Sequence, residues 1–183
     1  MMPPPRALSV LDAACANAKF AYLFHDDYYT GVDIDDKAIV ILNSNKNEMQ
    51  RFFVVDLVAD EIPNCQSLGG YDVVLSTHTL SHIPVDYKQM VMQKLFNSMA
   101  IHGWMILQVN STSFIDSYLD DRALIVKRLY YKGIVSRVME RFFSERFHKS
   151  FVGSAFNHVL SFVDFGKDEC IMLIKFRPDS TIG

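Results

Sequence analysis

Glycine, proline and cysteine are all scarce in this 183-residue chain, which holds 8, 6 and 3 of them. The three cysteines, Cys15, Cys65 and Cys170, are odd in number, lie far apart and form no C-x-x-C pair. That argues against a disulfide framework and against a zinc site, and makes a reducing cytoplasm the expected setting. Little Gly and Pro, with half of the residues hydrophobic, excludes a disordered or low-complexity polymer. No uninterrupted apolar run approaches the length of a membrane span, and the opening MMPPPR lacks the apolar stretch of a secretory leader. The sequence has no internal repeat. At this length one domain, residues 1–183, with a core of useful size is expected.

Charge is small overall, at −3, but unevenly spread. Residues 1–121 carry 7 Lys/Arg against 15 Asp/Glu, whereas residues 122–183 carry 11 against 6. The acidic part is the one with the clearer pattern. Residues 7–11 are a short apolar run that ends on Asp12, and a series of small residues follows (Ala13, Ala14, Cys15, Ala16, Asn17, Ala18). Helix-forming sequence then begins at Lys19, with a first helix expected over residues 18–24. Strand, tight turn and helix in that order open a βαβ unit. A turn of small residues lets a ligand approach the backbone, and free N–H groups face it. The second apolar run, YYTGVDID, ends on Asp33, well placed to grip the two hydroxyls of a ribose.

These residues resemble the class I S-adenosylmethionine-dependent methyltransferases, of the kind acting mostly on small molecules. The first motif of that family is an acidic residue followed by glycines at alternate positions, and residues 12–18 line up with it. The glycine positions fall on Ala14, Ala16 and Ala18. Gly alone adopts positive φ freely, so a misfit of order 1 kcal/mol per site follows if the backbone keeps its shape, enough to weaken binding roughly tenfold. The resemblance implies an α/β, Rossmann-like, doubly wound and mostly parallel seven-stranded sheet. It also implies a closing C-terminal antiparallel hairpin, with a helical insertion before it. Members usually begin with helices that fold over the cofactor. Here the site is expected to be more open, or to take its roof from the later insertion or a partner chain.

Further along, DDKAIVILNSNKNE reads as the second helix, with Asp35 or Asp36 at its N-terminus. RFFVVD (51–56) reads as a third strand, again ending on an acidic residue. The resemblance puts Asp56 beside the adenine amine and Leu57 against the ring, and it adds Ile34, after Asp33, to the contacts. YDVVLST (71–77) is an unbroken β-branched run, as in a strand buried on both faces of a parallel sheet. Its end places Ser76, Thr77 and His78 toward the reacting end of the cofactor. VDYKQMVMQKLFNSMAIHG is a long amphipathic helix, and GWMILQVN (103–110) a fifth strand.

Residues 113–149 carry helical periodicity, with a possible break at Gly133, and form the expected insertion or lid. Eight Lys/Arg against Glu140 and Glu145 between residues 122 and 149 suit either a solvated basic face or a surface for an anionic acceptor or a partner chain, including a second copy. Two strands, AFNHVLSFVDFG and DECIMLIKFRP, are expected to form the closing hairpin.

Methyl transfer needs alignment, a dry pocket and sometimes a base for the acceptor's proton. The expected cofactor contacts are Asp12, Ala14, Ala16, Asn17, Ala18, Asp33, Ile34, Asp56, Leu57, Ser76 and Thr77, with S-adenosylmethionine as cofactor and no metal. His78 is the candidate general base, because His titrates in the useful range, with bracing of its loop as the competing role. No Asn-Pro-Pro-Tyr-type signature follows the fourth strand and no Pro-Cys pair occurs, which disfavours nucleic acid as the substrate. A dinucleotide-dependent oxidoreductase would want glycines at other offsets. The alternative from another class is a catalytically inactive methyltransferase-like binding or regulatory subunit.

Overall fold

The computed structural model describes residues 7–65, 69–110, 123–130 and 169–176. Five parallel strands form the frame: β1 (Ser9–Ala13), β2 (Tyr28–Asp33), β3 (Gln50–Val54), β4 (Tyr71–Thr77) and β5 (Met99–Asn110). They lie in the order β3-β2-β1-β4-β5, so the chain runs outward one way from β1 and then returns to its other side. Three helices connect them: α1 (Asp36–Asn45), the short α2 (Thr79–His82) and α3 (Val85–Asn97).

The strands bury both faces, and the pleat sorts them. Leu11, Ala13, Val32 and Val74 join one core cluster with Val91, Leu95 and Phe96 of α3. Their neighbours Val10, Tyr29, Val73 and Leu75 join the other, with Ile39 of α1. Period-two alternation thus feeds two apolar layers, and a helix covers each. α1 starts where Asp35 caps it, its carboxylate accepting from the N–H of Lys37 at 3.0 Å and of Ala38 at 3.2 Å. α3 buries Val91, Met92, Leu95 and Phe96 as one stripe, as its amphipathic spacing predicts.

The helix expected over residues 85–103 stops at Asn97, and residues 99–102 open β5 instead. Two further expectations need correction. In place of a helix over residues 18–24 there is a single 3-10 turn, Ala21–Phe24, because Phe20 and Phe24 are drawn into the core and β2 begins at Tyr28. The second concerns residues 123–130, where helix was expected. They form a strand, β6 (Ala123–Tyr130), antiparallel to β7 (Glu169–Phe176), which in turn runs antiparallel to β5. The run LIV is as good for a strand as for a helix, and the partner strand decides between them. The rest of the expected insertion, and the first strand of the expected hairpin, lie outside the described residues. Among the described residues no helix is long and apolar enough to cross a membrane.

Candidate functional site

The order of the strands reverses between β1 and its neighbours β2 and β4, and the carboxyl ends of these strands are where an α/β sheet opens a crevice. The connection after β1 occupies that place. Ala14, Ala16 and Ala18 adopt φ of 59°, 47° and 52°, so each glycine position of the motif has left-handed backbone despite its Cβ. Local bonds hold them there. Cys15 N donates to Val32 O at 2.9 Å, and Ala18 N to Cys15 O at 2.7 Å. Thr79 Oγ1, buried at the start of α2, donates to Ala13 O at 2.9 Å.

Asp33 completes the turn. Its Oδ2 accepts from Ala16 N at 2.8 Å and its Oδ1 from Asp35 N at 3.0 Å. A carboxylate has about four lone-pair sites, so two remain for a ligand. Asp56 sits in a similar frame one loop away. Its Oδ1 accepts from Val58 N at 2.8 Å, and its own N–H donates to Asp60 Oδ2 at 2.9 Å.

Two adjoining cavities, of about 400 and 390 Å³, lie over these strand ends and share Ala14, Asp33, Ile34, Thr79 and His82. Asp56 and Leu57 line the first together with Val55, Val58 and Tyr87. Asp12, Ala16, Asn17, Thr77 and His78 line the second. The expected residues are therefore largely brought together. Ser76, fully buried, and Ala18, nearly so, line neither cavity.

Asp12 lies on the floor, almost wholly buried, and accepts a hydrogen bond from the Tyr29 hydroxyl. Burial pushes its carboxyl up to about 7, against the opposing effects of the Tyr29 bond and the nearby Lys19 charge. The Tyr29 hydroxyl is raised for the same reason, burial first and the Asp12 charge second. Burial likewise raises the Cys15 thiol, so it stays a neutral packing group.

His78 stands at the end of β4 with φ of 59°, another left-handed residue without a glycine. Its Nε2 lies 2.8 Å from the amide nitrogen of buried Gln108, on β5. The amide donates to Nε2 when the ring proton sits on Nδ1. His82, which the resemblance marks as a structural position and not a catalytic one, lines both cavities, and Lys19, not singled out from sequence, lines the second. Lys19 adjoins the motif, and its ammonium lies over the Phe20 ring, 4.9 Å from the centroid.

A family model described as "Methyltransferase domain" matches residues 2–166. The chain belongs to that family. Its members are class I enzymes that use S-adenosylmethionine. Among solved structures, this methyltransferase resembles a TehB-like SAM-dependent methyltransferase from Corynebacterium glutamicum, at 14% identity and a TM-score of 0.65, over 95% of this chain and 83% of that one. It also resembles the N-methyltransferase NodS of Bradyrhizobium japonicum, solved with S-adenosylhomocysteine, at 11% and 0.61, over 94% and 80%. A third is an O-methyltransferase of a Brevibacillus brevis polyketide multienzyme, also with S-adenosylhomocysteine, at 15% and 0.62, over 96% and 69%. At these identities the likeness is one of fold. Comparison with curated proteins found no match.

Proposed function

We propose that this methyltransferase transfers a methyl group to a small-molecule acceptor, with the cofactor lying across the two adjoining cavities. The observation that carries the reading is the convergence of Asp33, Asp56 and the left-handed alanine turn on one hollow at the switch point of the sheet. The residues present fit an S-adenosyl group. Asp33 keeps acceptor sites for two ribose hydroxyls, and Asp56 Oδ2, which has no partner among the described residues, suits the adenine amine. Leu57 and Val58 offer an apolar wall for the ring, and the small residues Ala14, Ala16 and Asn17 let the polar end approach the backbone of the turn. When bound, the cofactor supplies a methyl carbon already activated by a positive sulfur.

The rest is the protein's part: alignment, exclusion of water and proton removal. Thr77 and His78 flank the second cavity, and His78 Nε2 takes the acceptor's proton once its lone pair is released from Gln108. On this reading the chain is a single cytoplasmic domain. Its sheet closes through the antiparallel strands β7 and β6, as a seven-stranded member of the family.

A second reading, a binding subunit without catalysis, draws support from the three alanines. Incubation with methyl-labelled S-adenosylmethionine and panels of small phenols, acids and amines separates the two. The enzyme reading expects label in at least one acceptor, lost in His78→Ala by roughly a hundredfold or more. Cofactor binding without transfer to any panel member favours the second.

A further inference from the structure

The ε-ammonium of Lys94, in the last turn of α3, reaches the loop after β3 and meets three of its carbonyls: Leu57 O at 3.4 Å, Val58 O at 3.1 Å and Asp60 O at 2.8 Å. Lysine has three N–H donors and no acceptor, so this contact uses its full capacity. The same loop carries Asp56 and Leu57 into the first cavity. Two further bonds lock its shape, Asp56 Oδ1 accepting from Val58 N and Asp60 Oδ2 from Asp56 N. Lys94 sits opposite both, on the helix that Val91, Leu95 and Phe96 anchor in the core.

We infer that Lys94 is a positioning residue for adenine recognition: it ties the 56–60 loop to α3 and so sets where the Asp56 carboxylate and the Leu57 wall stand. The inference rests on the proposed use of the first cavity for adenine. Lys94 does not line that cavity and touches no ligand; it acts through the loop. Without its donors, three carbonyls must find water, and only the packing of Leu57 and Val58 on the core still holds the loop against α3, so the polar Asp56 end can shift. The turn at Ala14–Ala18 and Asp33 are held by bonds of their own, so the ribose end of the hollow does not depend on Lys94.

The test uses the full chain and two ligands, S-adenosylhomocysteine and its deaminated form, S-inosylhomocysteine, which lacks the exocyclic amine. The wild-type protein should prefer the adenine form at least tenfold. Lys94→Met, which keeps the stem and removes the donors, should reduce that preference to within about threefold, chiefly by weakening the adenine ligand, and Lys94→Arg should restore most of it. A purely structural lysine would lower the melting temperature and leave the preference intact, and that result overturns the inference. Should Lys94→Met fail to fold, Lys94→Leu, which also lacks donors, is read in the same way. Failure of the wild-type protein to bind S-adenosylhomocysteine overturns the proposed function itself. Binding without any preference for the amine overturns the adenine role of this loop.

Discussion

Asp12 is the residue to which the structure adds most. The motif marks it as a cofactor contact, and it lines the second cavity. The structure shows its carboxylate buried under the turn, accepting from Tyr29 and raised to about 7 by desolvation. A raised folded value means that stability from the protonated form is complete below the ordinary 3.8 and is lost as pH rises through about 7. Asp12→Asn stays neutral throughout, so the wild-type protein should lose about 4 kcal/mol relative to this variant between pH 4 and pH 8. Urea unfolding of both at the two pH values measures it. A difference that does not change with pH would show that Asp12 is ionised in the folded state at both. No sequence pattern reveals such a shift, because it arises from the burial of Asp12 in the folded sheet, which outweighs the opposing Tyr29 bond.

At the scale of elements, the parallel strands and the long helices were legible because their signals are local. β4 matches its predicted bounds, and Asp35 caps α1 where the sequence placed that helix's start. Residues 18–24 and 123–130 were misread because each has a pattern that tertiary contacts override, a core-seeking pair of phenylalanines in one and a waiting antiparallel partner in the other. The turn after β1 was read correctly as to place, and the structure refines its energetics. Left-handed φ at Ala14, Ala16 and Ala18 is held by bonds within the protein itself, so the strain of roughly 1 kcal/mol per alanine falls on folding and not on ligand binding. Ala16→Gly and Ala18→Gly should therefore each raise stability by about 1 kcal/mol, or a few degrees in melting temperature, with cofactor affinity changed less than about threefold. Scanning calorimetry with and without S-adenosylhomocysteine checks both halves. A large gain in affinity with no gain in stability would place the strain in the bound state instead.

For the whole molecule, the reversal of strand order creates the hollow, and the carboxylates reach it because each ends or follows a strand on that edge. That convergence was legible from the recurrence of Asp at strand ends. The places of Thr79 and Lys94 were not, since each depends on how the chain after β4 folds back over the sheet. His78, which lines the second cavity, pairs with buried Gln108, a contact between residues 30 positions apart. The measurement that bears most directly on the central claim is calorimetric titration of S-adenosylhomocysteine into the wild-type protein and Asp33→Ala. The account predicts micromolar affinity for the first and a loss of roughly 1–3 kcal/mol for the second, as two hydroxyls lose a charged acceptor. No heat at millimolar ligand, or equal affinity of the two proteins, would contradict it.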